Sequence, residues 1–134
     1  MPRRRRLRKV LSPPGFMGFK PYGIMQKKRD CVELLYEEYE AIKLADYNLM
    51  NHQEASQLMG ISRPTFARIY ETARRKIALA LVETKEIKTV FGYVWLDGNW
   101  FICNNCNARF TIQDLLNEQN CPLCKSVKTN ALKN

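Results

Sequence analysis

Four cysteines carry the clearest chemistry in this sequence. Cys103 and Cys106 form one C-x-x-C pair, and Cys121 and Cys124 form a second after fourteen intervening residues. Each pair can present two thiolates from a tight turn, and two such turns complete a tetrahedral site for Zn²⁺. An all-cysteine set leaves no open coordination position, so the expected role of one such zinc ion is structural. A mononuclear iron shares the spacing, and a thiol redox pair is the third use of these residues. Cys31 stands apart from them, and is expected to be a small, half-buried residue near the start of the first helix.

A second group is defined by basic and hydroxyl side chains at helical spacing. Ser62 is placed to cap a helix, with Pro64 in its first turn. The outward positions beyond it carry Arg63, Thr65, Arg68, Thr72 and Arg75, with Arg74 and Lys76 on the flanks. Arginine forks match guanine O6 and N7 in a major groove, and hydroxyls bond phosphate or base edges. Arg75 and Lys76, two turns further on, are placed for the DNA backbone. Arg3, Arg4, Arg5 and Arg6 supply an N-terminal arm of the kind that lies on phosphates or enters a minor groove. The plainer reading of both groups is a solvated helix face and a solubilising tail.

The charge distribution bears on that choice. The chain has 134 residues and a net charge of +9, with 46% hydrophobic residues, enough for a packed core. Its first 29 residues hold ten bases and no acid, the next 21 carry −5, residues 51–88 carry +3, and the rest adds +1. A polyanionic partner is therefore expected, although charge alone does not separate DNA from RNA or an anionic membrane. No apolar face accompanies the arginines, which makes a membrane the weakest of these. No run approaches the roughly 18 apolar residues of a membrane span, and no apolar stretch follows the basic N-terminus as a secretory signal requires. A cytoplasmic, reducing setting is expected, with thiols free or metal-bound.

These residues need elements to hold them. Leu35, Tyr39, Ile42 and Ala45 recur at helical spacing, predicting a first helix from about Glu33 to Asp46 with Glu37, Glu38 and Glu40 mostly outward. Asn51 with Glu54 makes a capping box for a second helix over His52–Met59, which stops at Gly60. The third helix runs to about Val82, with Phe66, Ile69, Ala73, Ile77 and Leu81 inward. Ser56 lets the last two helices approach, and Leu58 and Ile61 fill the wedge between them. This is the layout of a helix-turn-helix. Before it, Pro13, Pro14, Gly15, Gly18, Pro21 and Gly23 keep a strap extended to about Ile24, pinned by Phe16, Phe19 and Tyr22. After it, "YVWL" and "NWFIC" flank Asp97-Gly98, a hairpin signal, "ARFTI" returns as a strand, and "IQDLLNEQ" makes a short helical turn.

The run "QEASQLMGISRPTFARIYETARRKIALAL", Gln53 to Leu81, resembles region four of bacterial sigma factors. It is more similar still to the domain-of-unknown-function family 134, uncharacterised archaeal and bacterial proteins described as predicted DNA-binding proteins. "FKPYGI" and "YEAIKLAD" extend that resemblance over about Arg4 to Glu83. Leu49 stands where that family often has Gly, and Ser56 where it usually has Ala. Residues 93–128 resemble a zinc ribbon or rubredoxin-like fold, with Asn107 and Lys125 where rubredoxin loops carry Gly.

The expected fold is a mainly α helix-turn-helix domain, sigma region four-like, plus a small β-rich zinc ribbon at the C-terminus. The expected division is a basic arm and strap over 1–29, the helix-turn-helix over 30–86 and the ribbon over 87–130. The expected function is sequence-specific binding of double-stranded DNA in transcription regulation. The alternatives are a sigma-like adaptor whose main contact is RNA polymerase, a rubredoxin-like redox protein, or an RNA-binding role. No P-loop, dinucleotide-binding glycine pattern or nucleophile elbow occurs, and His52, the one histidine, is placed in an exposed first turn. No acidic pair reads as a pocket, so no enzyme is expected.

Overall fold

The computed structural model describes residues 6–23, 30–111 and 120–132. Among these residues are three α-helices and eight short strands, so the helical part is less purely α than its periodicity implies. Strand β1 (Arg8–Val10) is followed by β2 (Gly18–Phe19) and β3 (Cys31–Leu35). Helix α1 (Tyr36–Ile42) opens at its C-terminal end into a wider π-turn over Lys43–Tyr47. Helices α2 (His52–Met59) and α3 (Arg63–Glu83) come next, then β4 (Glu86–Val90), β5 (Val94–Leu96), β6 (Trp100–Cys103), β7 (Arg109–Thr111) and β8 (Thr129–Ala131).

The first helix starts at Tyr36, three residues later than Glu33. Cys31–Leu35 instead pairs parallel with β4, from Cys31 opposite Glu86 to Leu35 opposite Val90. A ladder to a strand some fifty residues away outweighs a helical period that the local sequence shares. β2 joins the other edge of β4 antiparallel, giving the order β2-β4-β3. Cys31 lies exposed on this sheet, not half-buried at a helix start.

Local capping shapes the helices. Asn51 Oδ1 accepts from the Glu54 N–H at 2.8 Å, and Ser62 Oγ from the Thr65 N–H at 3.3 Å. Between α2 and α3, Gly60 takes φ 67°, where a side chain would be strained. Ala41, Leu44, Ala55, Met59 and Phe66 form the core among the helices, with Ile61, Ile69 and Tyr70 packed against it. Ser56 is buried where α2 and α3 approach, its hydroxyl donating to the Gln53 carbonyl at 2.9 Å. Leu58 remains 37% exposed, and Met59 takes its expected place inside. The buried series is Phe66, Ala73 and Ala80, and Leu81, one residue further round the helix, is turned off that face and 73% exposed. His52 is half-buried, edge-on to Phe66 and Tyr70 at 5.2 and 5.3 Å.

The strap is pinned by Phe16, whose ring lies edge-on to Tyr39 at 5.9 Å; Phe19 and Tyr22 are 61% and 96% exposed. The basic arm enters the fold: β1 pairs parallel with β5, Arg8 opposite Val94 and Val10 opposite Leu96. This pairing replaces the hairpin expected at Asp97-Gly98, since β5 bonds β1 while β6 bonds β7 and β8. Val10, Tyr36 and Val94 form a second buried cluster, against which Leu132 packs. Strand pairing therefore runs across residues 29 and 86 in both directions. The helical turn expected over "IQDLLNEQ" lies at residues 112–119, outside the described residues.

Candidate metal centre and arginine-lined cleft

The cysteine pairs sit on two similar turns. In the first, the Asn107 N–H donates to the Cys103 carbonyl at 2.9 Å and the Cys103 N–H to the Ala108 carbonyl at 2.9 Å. In the second, the Lys125 N–H donates to Cys121 and the Cys121 N–H to Ser126, both at 2.9 Å. Asn107 and Lys125 take φ 63° and 62°, the left-handed region where glycine is usual. The two departures from glycine thus keep the turn geometry at a backbone cost.

The four sulfurs lie within 4.8 Å of one another, with Cys103–Cys124 and Cys106–Cys121 both at 3.6 Å. Tetrahedral zinc–thiolate bonds of about 2.3 Å place sulfurs about 3.8 Å apart, so the donor set fits a four-coordinate soft cation. Asn105 supports it, with its backbone N–H 3.4 Å from Cys103 Sγ and its side-chain amide 3.5 Å from Cys124 Sγ. The Asn105 amide, then the Ser126 backbone, lowers the Cys124 pKa to about 6. At Cys106 the Ala108 backbone pulls downward, but desolvation and the three neighbouring sulfurs raise the thiol to about 12. Four thiolates this close cannot all ionise without a cation to share.

The second feature is a cleft of about 890 Å³ between the arm, the start of α1 and the N-terminal half of α3. Arg6 and Arg8 line one side; Ser62, Thr65, Arg68 and Thr72 line the other, with Glu37 and Glu38 in the wall. Four of the six residues singled out on the third helix are thus brought together with Arg6. Arg63 is exposed but outside the cleft. Arg75, two turns beyond Arg68, lies outside the cleft and is paired with Glu71 at 2.8 Å. Arg3, Arg4 and Arg5 lie outside the described residues.

The outward placement expected for the acids fails. Glu37, Glu38 and Glu40 are 5%, 4% and 0% exposed, because α1 is covered by α3, β1 and the residues that follow β4. Glu38 Oε1 accepts from the Leu35 N–H at 2.9 Å and from Lys76 Nζ at 2.7 Å. Lys76 also donates to the Glu33 carbonyl at 2.9 Å, so it is not the free DNA-facing cation its spacing implies. Glu37 Oε2 accepts from the Tyr93 N–H at 3.1 Å, while Oε1 has no hydrogen-bond donor and lies against Gly92, where a Cβ would overlap it. Glu40 stands 3.0 Å from Lys43, which donates to Ser12 Oγ at 2.8 Å.

Arg8 Nε is buried with no hydrogen-bond partner, and its guanidinium lies over the Tyr93 ring at 5.7 Å. Arg8, Glu37 and Glu38 are the cleft residues the sequence reading missed. Glu38 and Lys76 are 38 residues apart, so no local spacing announces the pair. Among the described residues, no helix is long and apolar enough to cross a membrane.

Residues 1–94 match the family described as "protein of unknown function DUF134". A "UPF0251 protein" of Chloroherpeton thalassium is 41% identical over 99% of this chain and 88% of its own length. Another, of Pelotomaculum thermopropionicum, is 38% identical over 95% and 96%. A third, of Methanothermobacter thermautotrophicus, is 36% identical over 98% and 68%. No solved structure matches significantly.

Proposed function

The chain belongs to the DUF134 family, and from that premise we propose that it is a sequence-specific DNA-binding protein acting in transcription regulation. One observation carries the reading: polar and basic side chains of the N-terminal half of α3 and the arm's arginines line one cleft. With α2 and the Gly60 turn, α3 has the make-up of the second helix of a helix-turn-helix, whose first turns reach base edges. Arg68, with Ser62, Thr65 and Thr72, would address bases and nearby phosphates, and Arg6 and Arg8 the backbone beside them. No acidic side chain stands in the first turn of α3 to oppose a phosphate.

The cysteine segment reads best as a zinc ribbon. Cys103, Cys106, Cys121 and Cys124 would hold the ion, which would cross-link the two turns and leave no coordination site for a substrate. Metal analysis of the purified chain is expected to give one zinc per chain and no colour; a red protein with stoichiometric iron would refute the zinc assignment.

The DNA reading is tested by selecting duplexes from a random pool. Enrichment of a common motif that Arg68→Ala degrades supports it. Recovery of unenriched pool, or a motif that Arg68→Ala leaves intact, refutes direct reading by α3.

A further inference from the structure

The acids in the wall of the arginine-lined cleft are out of place in a surface built only for a polyanion. Glu38 is answered by Lys76 at 2.7 Å, but Glu37 has no cation among the described ion pairs. Arg6, Arg8 and Arg68, which line the same cleft, have no acidic partner among the described ion pairs. Three arginines less Glu37 leave a charge of about +2 around a space of about 890 Å³. A phosphomonoester carries about −1.5 to −2 at neutral pH. The space suits a small organic ligand, since such sites usually span about 300–1,000 Å³.

We propose that this cleft binds a small phosphomonoester with an apolar or heterocyclic body, of which a mononucleotide is the simplest example. The phosphate would sit among Arg6, Arg8 and Arg68, where planar guanidinium forks suit its oxygens. Arg8 adds its positive charge to the cleft lining. The N-terminus of the 21-residue α3, capped by Ser62, adds the positive end of the helix dipole. Leu35, Ile61 and Ile69 give the body an apolar surface. A second consequence rests on the DNA-binding reading: because Arg68 and the start of α3 serve both, ligand and duplex exclude each other.

The test is calorimetric titration of the metal-loaded full chain with AMP, GMP, adenosine and inorganic phosphate at fixed ionic strength. A mononucleotide is expected to saturate one site, with adenosine giving no heat. Arg68→Gln and Arg6→Gln, both at exposed positions, are each expected to weaken it about tenfold, the loss of one charge-assisted hydrogen bond. Lys88→Gln makes the same charge change at an exposed position of β4, outside the cleft, and is expected to leave affinity unchanged. The proposal is overturned if neither nucleotide saturates a site at millimolar concentration. It is equally overturned if adenosine or inorganic phosphate binds as tightly as the nucleotide, or if Arg68→Gln binds like wild type. Anisotropy of a labelled duplex then separates the two readings. A nucleotide site in a chain that binds no duplex sinks the DNA reading alone, whereas duplex binding without a nucleotide site sinks this proposal alone.

Discussion

If the cleft side of α3 meets DNA, the cations that contribute are those not already neutralised inside the fold. Arg6 and Arg68 are exposed and have no acidic partner among the described ion pairs. Lys76, which its position on the helix would also assign to the backbone, is 30% exposed and held by Glu38 at 2.7 Å and the Glu33 carbonyl at 2.9 Å. Breaking that pair would leave Glu38, 5% exposed at its side chain, without its cation, so Lys76 should not exchange partners for a phosphate. Each lysine or arginine on a phosphate adds about 0.9 to the slope of log affinity against log salt. From about 50 to 200 mM salt that is about a 3.5-fold loss per contact. We expect Arg6→Gln and Arg68→Gln each to flatten the slope by about 0.9 and the double change by about 1.8, while Lys76→Gln leaves it alone. The assay is anisotropy of a labelled duplex across that salt range, with circular dichroism verifying that each variant is folded. A Lys76→Gln slope that falls as far as the Arg68→Gln slope would refute the assignment of free and neutralised charge.

What the sequence made legible is what local chemistry decides. The caps at Asn51 and Ser62, the stop at Gly60 and the convergence of four cysteines each need only residues nearby in the chain or a repeated tight turn. The strands were hidden because their partners are remote: Cys31 meets Glu86, and Arg8 meets Val94. The acids of α1 were misplaced for a related reason. A glutamate on a helix looks the same in sequence whether water or Lys76 answers it, and Lys76 belongs to another helix. Burying the acids changes the candidate site itself. It turns an open basic face into a cleft with a wall of mixed charge, which no count of arginines could disclose.

Two further predictions follow from backbone and burial. Leu49 has φ 58° and is 83% exposed, in the turn before α2. Relief of a left-handed conformation is worth about 1–2 kcal/mol, against about 0.5–1 kcal/mol of glycine entropy. Leu49→Gly is therefore expected to raise Tm by about 2–4 °C, and a glycine variant melting no higher than Leu49→Ala would refute the strain. Glu40 is the pH-sensitive case: desolvation raises its pKa, with Lys43 pulling part of the way back. Between the unfolded value of about 4.3 and the raised folded value, the native state binds more protons than the unfolded chain. Stability from this group is therefore lost as pH rises through that window. Glu40→Gln carries no such titration, so it should gain on wild type as pH rises from about 4 towards 7. Measuring both by urea unfolding at each pH cancels other titrations, the thiols included, as long as they behave alike in the two proteins. The opposite trend, with glutamine losing ground as pH rises, would mean that Lys43 more than repays the burial of the carboxylate, and the desolvation argument would fall.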